Sequence, residues 1–151
     1  MASSEASRRT SKRVSTAPAH PKAPVSIDAA AIIANHAVLT GVYPIKIGPQ
    51  VVIHQYAKVA SGTGPIEIGE GSIIWEKVVV GNATEDEAKE SDDKGSITLG
   101  SNVVIETGAM VEAESIGDST VVEAFAKIGQ GAIIGKVRQS NRPIFRVWSL
   151  T

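Results

Sequence analysis

The sequence predicts an all-β chain wound as a parallel β-helix of hexapeptide repeats, in about five triangular coils. Three observations lead there. Branched aliphatics recur at every sixth position through the middle of the chain, small residues and glycines hold fixed places between them, and all departures from the step of six fall at one place in each turn. A helix needs apolar residues every three or four positions and a half-buried strand needs alternation, so neither gives this period. A short strand plus a bend does, and three such units close a triangle. One coil cannot bury its own apolar side, so coils stack, backbone against backbone, at roughly 4.8 Å.

The coils follow in order. The first holds Ile27, Ile33 and Leu39, the second Ile47, Ile53 and Val59, the third Ile68, Ile74 and Val80. The fourth holds Leu99, Ile105 and Val111, the fifth Ile116, Val122 and Ile128, and a sixth begins near Ile134. Between triplets the step is eight residues from Leu39 to Ile47, nine from Val59 to Ile68, nineteen from Val80 to Leu99 and five from Val111 to Ile116. The irregularity therefore belongs to one vertex of the triangle. The fifth slot of the hexad carries Ala31, Ala37, Val51, Ala57, Ser72, Val78, Val103, Ala109, Thr120, Ala126 and Ala132, mostly small, as an inward site beside a tight bend requires. Gly48, Gly69, Gly81, Gly100, Gly117, Gly129 and Gly135 follow the aliphatic directly. They are expected to supply the positive φ of sharp corners.

The flanks differ in kind. Residues 1–24 are rich in Ser, Ala and Pro, with Arg8, Arg9, Lys12, Arg13 and Lys22 set against Glu5 alone. They read as a disordered basic tail rather than an organelle-targeting helix, because prolines crowd their end and apolar residues are few. The acidic stretch 84–94 reads as a solvated loop inserted between coils three and four. The β-helix is expected over residues 25–135.

Composition narrows the function. The formal net charge of −1 argues against nucleic acid as a partner. No Cys is present, so neither disulfides nor thiolate metal sites are available. No apolar run approaches the length needed to cross a membrane. The histidines are His20, His36 and His54. A carbonic-anhydrase-like zinc site needs three imidazoles converging on one ion. His36 is the fourth residue of its hexad and His54 the second of its own, so they are expected at different faces or heights. A hexapeptide-repeat acyltransferase would need a histidine base, and His54 is the candidate, with the loop Ser61-Gly62-Thr63-Gly64-Pro65 nearby. The glycines follow the coil period and form no phosphate-binding loop. No catalytic residue, cofactor or metal ligand is assigned.

The outward slots say more. The sixth slot of each coil's first hexad is apolar: Ile32, Val52, Ile73, Val104 and Val121. With coils in register these residues form one column along the axis. The equivalent slots of the second hexads, Val38, Lys58, Val79, Met110 and Lys127, are mixed. Trp75 and Phe125 fall where they should also face outward. Exposed β-branched residues suit any strand, yet a continuous apolar column flanked by large aromatics fits a protein interface.

Several stretches resemble the dynactin subunit 6 family: Ile47-Gly48-Pro49-Gln50-Val51-Val52-Ile53-His54, Gly64-Pro65-Ile66-Glu67-Ile68-Gly69-Glu70-Gly71, and Leu99-Gly100-Ser101-Asn102-Val103-Val104-Ile105-Glu106 with Ile116-Gly117-Asp118 after it. The acidic insertion sits in the corresponding place, and the likeness runs from about Val25 to Ile134. The resemblance implies a left-handed β-helix, against the usual right-handed parallel crossover. It also implies a non-catalytic adaptor in the dynactin pointed-end complex, a cytoplasmic hetero-oligomer associated with the cytoskeleton. There it would pair with dynactin subunit 5 and other pointed-end subunits and support dynein-based transport and cargo attachment. The family continues with further coils and a C-terminal helix, whereas here the hexads stop after Gly135. For residues 136–151 two expectations stand. Either this tail folds over the last coil through Ile144, Phe145, Val147 and Trp148, or the chain is a truncated or misassigned product, which is the preferred reading.

Overall fold

The computed structural model describes residues 24–82, residues 95–136 and the backbone of residues 146–150. The expected basic tail, apart from Pro24, and the acidic insertion 84–94 lie outside these residues, as do the side chains beyond Lys136.

The chain forms a parallel β-solenoid of about five turns. Each turn lays one short strand on each of three faces. The first face carries β1 (Val25–Ile27), β4 (Ile45–Ile47), β7 (Ile66–Ile68), β10 (Ile97–Leu99), β13 (Ser115–Ile116) and β15 (Ile133–Ile134), paired in that order. The second carries β2 (Ile32–Ile33), β5 (Val52–Ile53), β8 (Ile73–Ile74) and β11 (Val104–Ile105), and the third β3 (Val38–Gly41), β6 (Lys58–Ser61), β9 (Val79–Asn82) and β12 (Met110–Val111). In the fifth turn one strand, β14 (Val121–Ile128), serves both of these faces and joins them into a single sheet.

The register is the one the hexads require. Ile27, Ile47, Ile68, Leu99, Ile116 and Ile134 pair in succession up the first face. Ile33, Ile53, Ile74, Ile105 and Val122 do so on the second, and Leu39, Val59, Val80, Val111 and Ile128 on the third. From the second coil to the fifth these side chains are at most 3% exposed. Burying one such aliphatic is worth about 1.5–3 kcal/mol, so the columns dominate the core. A further inward row, Val25, Ile45, Ile66 and Ile97, stands two positions before the first aliphatic of its coil, where the period of six does not point.

The fifth-slot residues also lie inside: Val51, Ala57, Val78, Val103, Ala109 and Ala126 are buried. Polar exceptions are satisfied by backbone. The buried Ser72 hydroxyl donates to Gly100 O at 2.9 Å and accepts from Val103 N at 3.1 Å, and the Thr120 hydroxyl donates to Gly117 O at 2.8 Å. As expected, the described irregular connections share one vertex, between the third and first faces: 42–44, 62–65, 112–114 and 129–132.

The glycine expectation needs correction. Of the seven glycines that follow an aliphatic, only Gly81 has positive φ. Gly48, Gly69, Gly100 and Gly117 serve close stacking. A Cβ on Gly69 would lie 2.6 Å from the Gly100 carbonyl group, and one on Gly100 would lie 2.7 Å from Asp118 N. The left-handed seats lie elsewhere in the corner: Gln50, Gly71, Asn102 and Ser119 between the first and second faces, and His36, Tyr56, Lys77, Gly108 and Phe125 between the second and third.

The two ends differ. Among the described residues nothing pairs with the outer side of β1, β2 and β3 at the first coil, and Ile27 is 47% exposed although it heads a core column. Beyond the fifth coil, β16 (Arg146–Leu150) pairs in parallel with β14, with Val121 against Arg146, Val122 against Val147, Lys127 against Ser149 and Ile128 against Leu150. The backbone of residues 146–150 therefore lays a strand beside the last coil without a hexapeptide. Whether Ile144, Phe145, Val147 and Trp148 fold over that coil by their side chains lies outside the described residues.

Candidate docking surface

The second face presents the apolar column as one continuous line. Ile32, Val52, Ile73, Val104 and Val121 are direct partners across successive coils. Ile32, at the open end, is 64% exposed and the other four are half-buried. Alternation along the pleat explains the placement: Ile33, Ile53, Ile74, Ile105 and Val122 point in, so their predecessors point out.

Trp75 and Phe125 lie on the corner between the second and third faces, a four-residue segment repeated at 34–37, 54–57, 75–78, 106–109 and 123–126. Its first position holds Ala34, His54, Trp75, Glu106 and Glu123, and its third holds His36, Tyr56, Lys77, Gly108 and Phe125. Stacked coils bring like positions together. His54 and Trp75 stack with centroids 4.6 Å apart and rings 7° from parallel, and His36 and Tyr56 stack at 5.5 Å and 9°. The Phe125 ring lies over Gly108, whose Cβ, were it present, would sit 2.7 Å from that ring. Phe125 N donates to Thr107 O at 3.0 Å and Ala124 N to Glu106 Oε2 at 3.1 Å, fixing the last corner on the one below.

This corner costs the backbone something. All five residues in its third position have φ between 58° and 71°, and only one is glycine. An L-residue held there stores about 1–2 kcal/mol. Tyr56 is 55% exposed, Phe125 75% and Trp75 38%. The sequence-based expectation included Trp75 and Phe125 but not Tyr56, which the fourth slot of the second hexad, read as a column, would have disclosed.

His36 and His54 share this corner, in adjacent coils but in different positions, so their expected separation holds for height and not for face. His54 Nδ1 lies 3.4 Å from Glu76 Oε1, and Glu76 Oε2 accepts from the Thr107 hydroxyl at 3.4 Å. Each imidazole is engaged by its own aromatic neighbour, and the two do not converge. Among the described residues, no group of three or more His, Cys, Asp or Glu side chains is placed to hold a metal ion.

A chain with this surface has relatives of known name. The likeness by sequence is to dynactin subunit 6. The dynactin subunit 6 of Xenopus tropicalis is 36% identical over 92 residues, covering 60% of this chain and 46% of that protein. That of Nematostella vectensis is 30% identical over 112 residues, covering 73% and 60%, and that of Danio rerio is 32% identical over 113 residues, covering 73% and 57%. The chain thus spans about half the length of the dynactin subunit 6 proteins it matches. No protein-family model matches it. Among solved structures, a hexapeptide transferase family protein from Anaplasma phagocytophilum overlaps 74% of this chain and 70% of its own with a TM-score of 0.42 and 19% identity, too slight a likeness to bear on activity.

Proposed function

We propose that this chain is a non-catalytic structural subunit of the dynactin complex, seated in the pointed-end assembly beside dynactin subunit 5 and serving dynein-based transport and cargo attachment in the cytoplasm. The observation that carries the reading is the sequence likeness to dynactin subunit 6 from three animals. The apolar column of Ile32, Val52, Ile73, Val104 and Val121 supports it, because an unbroken outward apolar line suits a lasting protein contact. The test is co-purification of the tagged full chain with dynactin components. Val52→Asp and Val104→Asp place a charge on the outward side of the second face. Both variants are expected to fold, by circular dichroism, and to lose dynactin components. Normal recovery by both would remove the column from the reading, and no recovery by the wild-type chain would end the reading itself.

A second reading rests on one contact. Glu76 lies 3.4 Å from His54 Nδ1, an arrangement that orients an imidazole as a base, as a hexapeptide-repeat acyltransferase would need. Acyl-transfer activity abolished by His54→Ala would establish that reading in place of the first.

A further inference from the structure

The corner between the second and third faces carries side chains its backbone does not ask for. The corner between the first and second faces makes the same left-handed demand and fills it with Gln50, Gly71, Asn102 and Ser119, mostly glycine or short polar residues. Such residues take that conformation most readily. The other corner fills it with an imidazole, a phenol, an ammonium, one glycine and a phenyl ring, at His36, Tyr56, Lys77, Gly108 and Phe125. Tyr56 and Phe125 are more than half exposed, so core packing does not offset the strain. Strain kept where the fold gains little points to a use outside the fold.

The third face, beside this corner, supplies the rest. Its outward column runs Val38, Lys58, Val79, Met110, Lys127, with the aliphatic and thioether groups between two lysines. Among the described residues no carboxylate pairs with Lys58, Lys77 or Lys127. Lys58 and Lys127 stand three coils apart, roughly 14 Å at the spacing of stacked strands. Met110, between them, is 42% exposed. Glu76, Glu106 and Glu123 line the second-face side of the same corner, which disfavours a polyanion such as nucleic acid.

We propose that Tyr56, Phe125 and Met110, interspersed with Lys58, Lys77 and Lys127, form the docking site for an extended protein segment that carries both apolar side chains and carboxylates along its length. The inference rests on the assembly reading and adds a second surface and the chemistry of what covers it. Lysines without a carboxylate partner among the described residues argue for the carboxylates, and Tyr56 and Phe125 beside the outer two, with Val79 and Met110 between them along the axis, argue for the apolar side chains.

The test uses the full chain against purified dynactin subunit 5, with affinity measured by biolayer interferometry at low and high salt and melting followed in parallel. Phe125→Gly is expected to keep or raise the melting temperature, since glycine relieves the left-handed strain, while weakening binding at least tenfold. Lys58→Glu with Lys127→Glu is expected to weaken it similarly and to flatten its salt dependence. Wild-type affinity in both variants would overturn the inference and leave the assembly reading standing. A fall of several degrees in the melting temperature of Phe125→Gly would also overturn it, because the ring would then serve the fold. If the wild-type chain fails to bind subunit 5, the assembly reading falls and this inference with it.

Discussion

Gly69, Gly100 and Gly117 follow the inward aliphatic because the next coil passes too close for a side chain. The backbone of Gly117 and Asp118 leaves no room above Gly100, whereas nothing lies within 4 Å of a Cβ built on Gly135. Gly100→Ala should therefore destabilise the chain by about 1–3 kcal/mol, and Gly135→Ala should stay within about 0.5 kcal/mol of wild type. Thermal melts of the two variants check this, and equal effects would mean that stacking distance does not set the glycine requirement. At this scale the inward aliphatics, including Ile53, Ile74 and Ile105, were legible because a six-residue period reports them directly. The role of the glycines was not, since a sequence gives their positions without saying whether φ or a close approach requires them. The seats at Tyr56 and Phe125 were hidden for the same reason: left-handed φ is a property of the corner, and these residue types do not advertise it.

Among the elements, β14 and β16 carry the most topological weight, and β16 the least periodic sequence. Strand β14 turns from the second face to the third through Phe125, at φ 60°, without interruption. Strand β16 then lies along both halves of β14, with a register shift between Val122 and Lys127. This pairing covers an edge that would otherwise expose the free backbone groups of the last coil, a known route to aggregation. Removing residues 144–151 should leave the lower coils folded, speed amide exchange across Val121–Ile128 and raise light scattering on concentration. Unchanged exchange at Val122 and Ile128 in the shortened chain would show that β16 contributes no cover. The tail was unreadable from the period because Arg146-Val147-Trp148-Ser149-Leu150 lacks the hexad. A strand laid on an existing sheet needs only compatible backbone and register, and neither leaves a six-residue mark.

As a whole the molecule is a stack in which each coil touches only its neighbours, so its stability should vary along the axis. Among the described residues the first coil has a neighbour on one side only. Ile27 is 47% exposed there, while Ile47, its partner one coil in, is 3% exposed. The likeness to dynactin subunit 6 was legible in motifs drawn from coils two to five, but the difference between the two ends was not, because Ile27 and Ile47 occupy the same slot of the same repeat. Exposure depends on what lies above a residue, and no single hexad contains that. Truncation therefore separates them: Ile47→Ala should cost about 2–5 kcal/mol as a buried cavity. Ile27→Ala removes side-chain area that is already half in water, so at roughly 25 cal/mol per Å² it should cost well under half as much. Native-state hydrogen exchange should agree. The amides of Ile32, Ala34 and Val38, which donate from the first coil to the second, should open before those of Ile73, Trp75 and Val79, which donate from the third to the fourth. Uniform protection along the axis, or equal cost at Ile27 and Ile47, would mean that the first coil is covered by something further. Repeating the exchange with purified dynactin subunit 5 would then show whether that protein adds protection at that end or along the second and third faces, where the docking surfaces are proposed.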